Sequence, residues 1–505
     1  MHSWLNQKKP AIVMAHFLAL VLLLALSGSS SSPVVVARGS DHGGDEYMIV
    51  AMSSLKLKSA CLGHRVTPPL NSTWMPLDLM DGPCSSPSSS SAAAAPSVDE
   101  LLRRDQLRAD EVQKRLSHNV GDDEANGPAS STVTQVNHLA KIKVELGSRK
   151  PAKTKASQLV GIHPAATVGG GVGTGTLLPG VIQTVVLDTA SDVPWVQCVP
   201  CPIPPCHPQT DTFYDPTNSG SYAAFSCSSA ACRQLGPYAN GCINNQCQYR
   251  VAYPDGSSTS GTYSSDLLTL NPTTSVSNFQ FGCSHADQGN FDSQTAGVMA
   301  LGGGPESLIS QTASTFGRTF SYCLPPTASY VGYLVLGAPS VASSSSYVVT
   351  PMIRDNRSPA TFYRVLLRAI TVAGRRIDVP AAGGAAVLDS RTVITRLPPA
   401  AYAAVRAAFR SAMMGMYRPA PPKGSLDTCY DFRGVRSVKL PRVALVFDGG
   451  VVELDPSGIL FNDCLAFAAN RDDRMPVILG NVQQQTIEVL YDVDGGAVGF
   501  RRNAC

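Results

Sequence analysis

The feature that most constrains the fold is an internal repeat of a short apolar segment that contains an aspartate. Val185–Ala190 reads Val-Val-Leu-Asp-Thr-Ala, and Val387–Thr392 reads Val-Leu-Asp-Ser-Arg-Thr, with the two aspartates 201 positions apart. Each copy is followed by a second apolar run that closes on glycine, Val298–Gly302 and Val477–Gly480. This period is far longer than the roughly 20–50 residues of a solenoid unit. The repeat therefore predicts two related lobes, each with one aspartate at the end of a buried strand.

The two aspartates, Asp188 and Asp389, are predicted to act as a pair. Two carboxylates a few ångströms apart share one proton, because ionising both is electrostatically costly. The ionised member takes a proton from a bound water, and the protonated member donates to an amide carbonyl as the water attacks. A single Asp-Thr or Asp-Ser sequence is usually a turn or a helix cap, so the prediction depends on the two matching copies.

The body of the chain, from about residue 160, is typical of antiparallel β structure, because short alternating runs are separated by Gly, Pro and Asn turns. One helix is predicted at Pro399–Met413, where Pro399 occupies the first helical position. We therefore predict an all-β, bilobal fold with a central cleft and few short helices, the lobes spanning residues 159–350 and 351–505. The predicted strands include Thr184–Leu187, Tyr249–Tyr253, Thr262–Leu270, Tyr347–Thr350, Phe362–Val372, Val443–Phe447 and Thr486–Tyr491.

The N-terminus predicts export. Lys8 and Lys9 precede an apolar run, Ala11–Leu26, and small residues follow it. This order predicts a secretory signal peptide over residues 1–32. The alternative is a short membrane anchor, although the run is shorter than the roughly 20 residues of a spanning helix. With 44% hydrophobic and 15% charged residues and a net charge of +3, the composition does not favour a disordered or nucleic-acid-binding protein.

Residues 33–158 are predicted to form a removable pro-segment with flexible linkers. Ser97-Val98-Asp99-Glu100 resembles a capping box and opens one amphipathic helix over residues 97–117. Arginines and a lysine surround its apolar stripe, and the flanking segments are polar or rich in Ser, Pro and Ala. The alternative is a permanent N-terminal tail.

The cysteines predict disulfides. Of 14 cysteines, 12 lie between Cys198 and Cys505, which allows six disulfides in an exported body. The alternative is a zinc site, since Cys198, Cys201 and Cys206 are closely spaced. No second ligand pair has a matching spacing, so disulfides are favoured. No other metal or nucleotide motif is evident, and we expect no cofactor.

At these residues the chain resembles the pepsin-like aspartic peptidases, specifically the plant group similar to nepenthesin. The resemblance covers residues from about 160 to 505. Its motifs are the first active-site stretch, Thr184–Cys198, the second, Leu388–Pro398, a flap hairpin, Gln248–Ser257, and the ending from Val489 to Cys505. The Arg-rich helix near Leu101 is similar to the pro-segments of these plant proteins.

The resemblance implies roles for individual residues. Asp188 and Asp389 would be the catalytic pair, Tyr253 the flap tyrosine that binds substrate, and Trp195 a support for the first loop. Four hydroxyl residues are expected to support the carboxylates, with Ser191 and Thr392 hydrogen-bonded to them: Thr189, Ser191, Ser390 and Thr392.

Three departures from the family pattern fall at the site. Ala190 and Arg391 stand where the two motifs have glycine, and Pro254 replaces the flap glycine. Proline has no N–H to offer a substrate carbonyl. An arginine is charged at any working pH. Pointed inward, Arg391 would favour ionisation of both carboxylates and occupy substrate volume; pointed outward, it would leave the dyad usable.

The resemblance implies a secreted aspartic endopeptidase, made as a precursor and active on protein or peptide substrates at acidic pH. We expect a monomer that binds neither nucleic acid nor, after signal removal, membrane. The expected location is the cell wall or apoplast, with the vacuole as the alternative. The alternative function, suggested by Arg391, is a catalytically impaired homologue that binds a protein or peptide in the cleft, as plant xylanase inhibitors of similar fold do.

Overall fold

The computed structural model describes residues 46–55, 60–63, 73–79, 84, 97–117, 139–148, 180–202, 206–253, 257–289, 291, 293–327, 329–339, 346–354, 359–380 and 385–504. The predicted signal peptide and the predicted boundary at 158/159 lie outside these residues. No helix among them is long and apolar enough to cross a membrane.

Strands dominate the chain from residue 47 onward. The strands of the first half are β1 (Tyr47–Ala51), β2 (Thr73–Leu79), β3 (Ala140–Leu146), β4 (Val181–Asp188), β5 (Trp195–Gln197), β6 (Ala223–Ala224), β7 (Ala239–Ile243), β8 (Gln246–Ala252), β9 (Ser258–Asn271), β10 (Thr274–Gln288), β11 (Gly297–Ala300), β12 (Thr319–Cys323), β13 (Gly332–Leu336) and β14 (Val348–Pro351). Those of the second half are β15 (Arg364–Val372), β16 (Arg375–Asp378), β17 (Ala385–Leu388), β18 (Thr395–Leu397), β19 (Arg418–Ala420), β20 (Cys429–Asp431), β21 (Ser437–Pro441), β22 (Val443–Phe447), β23 (Gly450–Glu453), β24 (Leu460–Phe461), β25 (Cys464–Leu465), β26 (Phe467–Ala469), β27 (Ile478–Leu479), β28 (Glu488–Asp492) and β29 (Ala497–Arg501).

The helices are few and mostly short, as predicted. They are α1 (Met52–Leu55), α2 (Val98–Ser117), α3 (Ala230–Gln234), α4 (Leu308–Gln311), α5 (Ala313–Phe316), α6 (Pro399–Met413), α7 (Pro456–Ile459) and α8 (Asn481–Gln484), with single 3-10 turns at Pro216–Asn218 and Gly236–Tyr238. In α2 the Ser97 Oγ accepts from the Glu100 N–H at 3.2 Å, which is half of the capping box that the sequence suggests.

The internal repeat corresponds to the same strand arrangement in both halves. β4 lies parallel to β11, with Leu187 opposite Met299. β17 lies parallel to β27, with Leu388 opposite Leu479. The glycine-closing runs are therefore the buried neighbours of the two aspartate strands. This explains why the sequence repeats both the acidic segment and the run after it.

The two halves share one sheet, in the order β14-β29-β28-β12-β13-β2-β3-β4-β11-β5-β10-β9-β8-β7, with β6 added beside β9. β28 and β29 come from the C-terminal end of the chain, yet β28 pairs with β12 of the first half. A separate sheet of the second half runs β23-β22-β15-β17-β27-β18-β26. The predicted lobe boundary at 350/351 falls within β14.

The range 33–158 contains more regular structure than one helix between flexible linkers. β1 pairs with β21, β2 pairs with β13, and β3 pairs with β4 along six residues. In β3 the side chains of Ile142, Val144 and Leu146 are buried. Cleavage near residue 158 would therefore cut the chain between β3 and β4, the strand that carries Asp188. The two strands are paired, and β3 is an inner strand of the sheet.

Six disulfides are described: Cys61–Cys84, Cys198–Cys283, Cys201–Cys206, Cys227–Cys242, Cys232–Cys247 and Cys429–Cys464. Cys323 is also disulfide-bonded. The zinc alternative at Cys198, Cys201 and Cys206 is wrong, because all three sulfurs are used in disulfides. The first pair, Cys61–Cys84, links segments on either side of β2, within the predicted pro-segment.

Candidate active site

The ends of the two repeated strands converge. Asp188 ends β4, Asp389 follows β17, and both side chains are fully buried. One nitrogen of Arg108, Nη2, donates to Asp188 Oδ1 at 2.8 Å and to Asp389 Oδ1 at 3.2 Å. Two carboxylates from strands about 200 residues apart therefore face the same point.

The hydroxyl residues beside the acids tie the two strand ends together. Thr189 Oγ1 donates to the Leu388 carbonyl at 3.0 Å and accepts from the Ser390 N–H at 3.0 Å. In the reciprocal arrangement, Ser390 Oγ donates to the Leu187 carbonyl at 2.9 Å and accepts from the Thr189 N–H at 3.2 Å. The four bonds are buried and nearly symmetric, so they fix the separation of the two acidic loops.

The carboxylates also accept bonds from their own loops. The Ala190 N–H donates to Asp188 Oδ1 at 2.9 Å, and the Arg391 N–H donates to Asp389 Oδ1 at 3.0 Å. Thr392 Oγ1 donates to Asp389 Oδ2 at 2.7 Å, as the resemblance implies. Such bonds to the ionised form stabilise it.

Ser191 differs from the expectation. It is buried, but among the described residues its hydroxyl makes no hydrogen bond to either carboxylate. The side-chain donors to the two oxygens of Asp188 are instead the guanidinium groups of Arg108 and Arg391. Ser191 instead contributes its backbone carbonyl, which accepts from the Gly302 N–H at 2.8 Å.

Helix α2 fills the cleft above the carboxylates. Arg108 Nε donates to Asp389 Oδ2 at 3.0 Å, so its guanidinium spans both acids, and the side chain is 8% exposed. Ala109 and Val112 of α2 pack against Ala190, Phe362 and Val387. The residual cavity between α2 and the flap is about 60 Å³, whereas ligand pockets are typically about 300–1,000 Å³. A peptide cannot enter while α2 is in place.

Arg391 points inward. Its Nη1 donates to Asp188 Oδ2 at 3.0 Å, and its guanidinium lies over the Tyr253 ring at 5.5 Å from the centroid. Of the two orientations that the sequence leaves open, the structure therefore has the one that places a cation on the dyad. Both residues of this contact belong to the body of the chain rather than to α2.

The two arginines change the acidity of the dyad. Burial alone would raise the pKa of Asp188, but the cations of Arg108 and Arg391 outweigh it and lower this pKa to about 2. The Ala190 N–H adds to the lowering. With Arg108 and Arg391 both present, the ionised form of Asp188 is therefore favoured.

Tyr253 lies at the end of the flap strand β8 and is buried. Its hydroxyl accepts from Trp195 Nε1 at 3.2 Å, and both rings pack edge-on against Phe291. Trp195 is fully buried, consistent with its expected role beneath the first loop. Pro254, the departure predicted at the flap tip, lies outside the described residues.

Replacing Tyr253 by Phe should destabilise the fold by about 1–3 kcal/mol, because the buried Trp195 N–H would lose its acceptor. Chemical denaturation followed by tryptophan fluorescence measures this loss. Tyr47→Phe is the matched control, since its partly buried hydroxyl makes only a 3.4 Å bond to the Ala412 carbonyl. Equal unfolding free energies for the two variants would show that the Trp195–Tyr253 bond contributes nothing.

The comparisons with known proteins agree with this geometry. Residues 172–338 match the family Xylanase inhibitor N-terminal, and residues 362–502 match Xylanase inhibitor C-terminal. An aspartyl protease family protein of Arabidopsis thaliana is 38% identical over 425 residues, which cover 82% of this chain and 83% of that protein. The chain belongs to the plant pepsin-like aspartic protease family. The family predicted from the two active-site stretches is thus confirmed.

Other members of the plant protease family match over different lengths. The aspartyl protease AED1 of Arabidopsis thaliana is 34% identical and covers 98% of this chain and all of its own length. Aspartic proteinase nepenthesin-2 of Nepenthes gracilis is 33% identical and covers 63% of this chain and 74% of its own. Among solved structures, basic 7S globulin from soybean has a TM-score of 0.54 at 20% identity, covering 72% of this chain and 90% of the globulin. At that identity the likeness concerns the fold alone, and the predicted fold class is confirmed.

Proposed function

We propose that the protein is the precursor of a secreted aspartic endopeptidase that hydrolyses peptide bonds at acidic pH. The observation that carries the proposal is the convergence of Asp188 and Asp389 on a single nitrogen of Arg108. Loops locked by reciprocal hydroxyl bonds place two acids where one water could lie between them. That is the arrangement a shared-proton dyad needs.

In the proposed reaction, a peptide replaces helix α2 in the cleft. The ionised carboxylate takes a proton from the water, and the protonated one donates to the carbonyl oxygen of the scissile amide. The tetrahedral intermediate then collapses when the amide nitrogen is protonated and leaves. Tyr253, on the flap strand, would cover the peptide from the opposite side.

The precursor state is proposed from the contents of the cleft. Arg108 satisfies both acids at once, and the apolar side of α2 covers the surrounding surface. A peptide and α2 cannot occupy the site together, so activity requires α2 to leave. The proposed export is supported by the described disulfides, because such bonds persist in oxidising compartments. The proposed substrates are proteins or peptides, and the proposed protein is a monomer that binds no nucleic acid.

One observation favours a second candidate, a catalytically impaired protein that binds peptides. Arg391 Nη1 lies 3.0 Å from Asp188 Oδ2, and neither residue is part of α2. A permanent cation on one acid opposes the shared proton. In this second function the cleft would bind a protein segment without cleaving it.

The deciding experiment is hydrolysis of denatured protein by the acid-treated full-length chain at roughly pH 3–5. We expect cleavage that a pepstatin-type inhibitor blocks and that Asp188→Ala reduces by at least about a thousandfold, since the reaction loses one of its two proton-transfer groups. Asp378→Ala is the matched control, because that carboxylate is 78% exposed and pairs with Arg376 rather than with a residue of the site. Inhibitor binding without any cleavage would support the second candidate instead.

A further inference from the structure

A second carboxylate site lies beside the dyad, and in the precursor Asp105 of helix α2 fills it. Asp105 Oδ1 accepts from the Val393 N–H at 2.5 Å, and Oδ2 accepts from the Ile394 N–H at 3.2 Å. Arg396 Nη2 donates to Oδ2 at 2.6 Å. Two backbone donors and one guanidinium therefore converge on one carboxylate, and both charged side chains are fully buried.

The cation of this site belongs to the body of the protein, whereas its side-chain partners Asp105 and Gln106 belong to α2. Arg396 is the central residue of β18, and its Nη1 donates to Gln106 Oε1 at 2.7 Å. Its Nε is buried without a partner among the described residues. No side chain of the described body forms an ion pair with Arg396. Once α2 leaves, the cleft would hold a guanidinium and two N–H groups with no acceptor.

The emptied site would present one guanidinium and two N–H groups to the cleft, so it favours an anion of the same geometry. The charges at the dyad are the reverse, because there two acids of the body pair with the cation of Arg108 from α2. Helix α2 thus presents a cation to the acids and an anion to Arg396, three residues apart in the chain. Its side chains match the charge pattern of the cleft that it fills.

We propose that Arg396, together with the N–H groups of Val393 and Ile394, is a subsite that selects a glutamate or aspartate side chain in the bound peptide. This inference rests on the proposed function of the cleft. Asp105 and Arg108 are separated by a helical rise of about 4.5 Å, and an extended peptide advances about 3.3 Å per residue. The selected acid would therefore lie roughly one to two residues from the scissile bond. Arg396 is a specificity-determining residue in this scheme and does not touch the reacting atoms.

The test uses matched synthetic peptides that differ only by Glu or Gln at one position, scanned over four residues on either side of the cleavable bond. The protein is the full-length chain carrying Arg108→Gln, cut at a recognition site inserted within residues 118–138 so that α2 can leave. We expect the Glu peptide to exceed the Gln peptide by at least about tenfold in kcat/KM at one position, a difference of about 1.4 kcal/mol. A free chain-terminal carboxylate has the same chemistry, so all peptides are amidated and a separate free-acid series is compared with them.

Variants of the subsite assign the preference to Arg396. Arg396→Gln should reduce the Glu-to-Gln ratio to within about twofold. Arg396→Lys keeps the charge without the planar fork and should retain part of the ratio. Arg376→Gln, at a side chain that is 53% exposed, is the control and should not change the ratio. The comparison of Glu and Gln peptides in the cut protein needs no substitution of Arg396. Misfolding of an Arg396 variant therefore does not prevent the test.

A binding arm separates this inference from the proposed catalysis. The same peptides, fluorescently labelled, are titrated against the cut protein at pH 7 and followed by anisotropy. Glu-over-Gln discrimination in binding without cleavage at any pH would contradict the peptidase proposal and support the subsite. Three results would each overturn the subsite. The first is equal affinities and equal kcat/KM values for the Glu and Gln peptides, the second is a preference only for a free terminus, and the third is no binding of either peptide.

Discussion

Arg108→Gln should open the cleft of the full-length protein without any cut in the chain. The guanidinium donates to both acids and to Glu111 from an 8% exposed position. Removing one partner of a buried ion pair typically costs about 3–5 kcal/mol, since the remaining charges are left uncompensated. The two acids can share a proton after the change, so we expect the lower end, about a hundredfold weaker docking of α2.

Hydrogen exchange over Val98–Ser117 and binding of a pepstatin-type inhibitor to the uncut chain measure this opening. Arg103→Gln is the matched control on the same helix, because that side chain is 46% exposed and pairs with Glu100 of α2 itself. Exchange and inhibitor binding that do not distinguish Arg108→Gln from Arg103→Gln would contradict the docking role of Arg108.

Acid should weaken the part of α2 docking that depends on Asp188, and the sign follows from the pKa of this group. Its pKa falls from the ordinary 3.8 to about 2 when Arg108 and Arg391 are present. A carboxylate whose pKa is lowered in the docked state stabilises that state. This contribution is complete when the pH is above the ordinary pKa, and it is lost as the pH falls through the lowered pKa. The part of this contribution that Arg108 supplies therefore holds α2 in place near neutral pH and weakens between about pH 4 and pH 2.

The dyad could be predicted from the sequence because local pattern and long-range symmetry coincide there. Each aspartate ends an apolar strand, and the following apolar run is its parallel neighbour, so one repeat specifies four strands. The side of the loop to which Arg391 points could not be predicted, because a rotamer depends on the contacts of the folded state. Those contacts, Asp188 and Tyr253, come from the other half of the chain.

Arg108, the cation that pairs with the dyad, was harder to predict, although the spacing of the buried residues along α2 contained a signal. Arg108 was one of several basic residues around the apolar stripe of the helix, where a solvated position is the usual interpretation. Yet Leu101, Asp105, Arg108 and Val112 follow the i, i+4, i+7, i+11 spacing of a single buried side. Burying such charges is stable only with partners 281 or 291 residues away, and helical periodicity contains no information about them.

The strand β3 shows a different limit of pattern analysis. Ala140, Ile142, Val144 and Leu146 alternate with charged residues, which is the period of a half-buried strand. The segment lies among polar residues before the first active-site stretch, and the prediction assigned it to a linker. Its pairing with β4 places it inside the sheet, so the end of the pro-segment cannot be derived from composition alone.

Arg391→Gly should raise peptidase activity and extend it to higher pH. In the wild type the Arg391 cation lowers the pKa of Asp188, so the dyad loses its shared proton at a lower pH than it otherwise would. An adjacent cation typically shifts a carboxylate pKa by about 1–3 units. Removing it should therefore move the basic limb of the pH profile upward by about one unit or more and increase kcat/KM at pH 5 by about tenfold.

The measurement is kcat/KM for one peptide between pH 2 and 7, with the cut protein and its Arg391→Gly and Arg250→Gly variants. Arg250 is the control because it is an exposed arginine on the flap strand β8. A shift of the basic limb identifies an electrostatic effect, because relief of crowding alone would raise kcat/KM equally at every pH. Identical profiles for wild type and Arg391→Gly would mean that Arg391 leaves the dyad once α2 is gone, since a cation retained 3.0 Å from Asp188 must influence its ionisation.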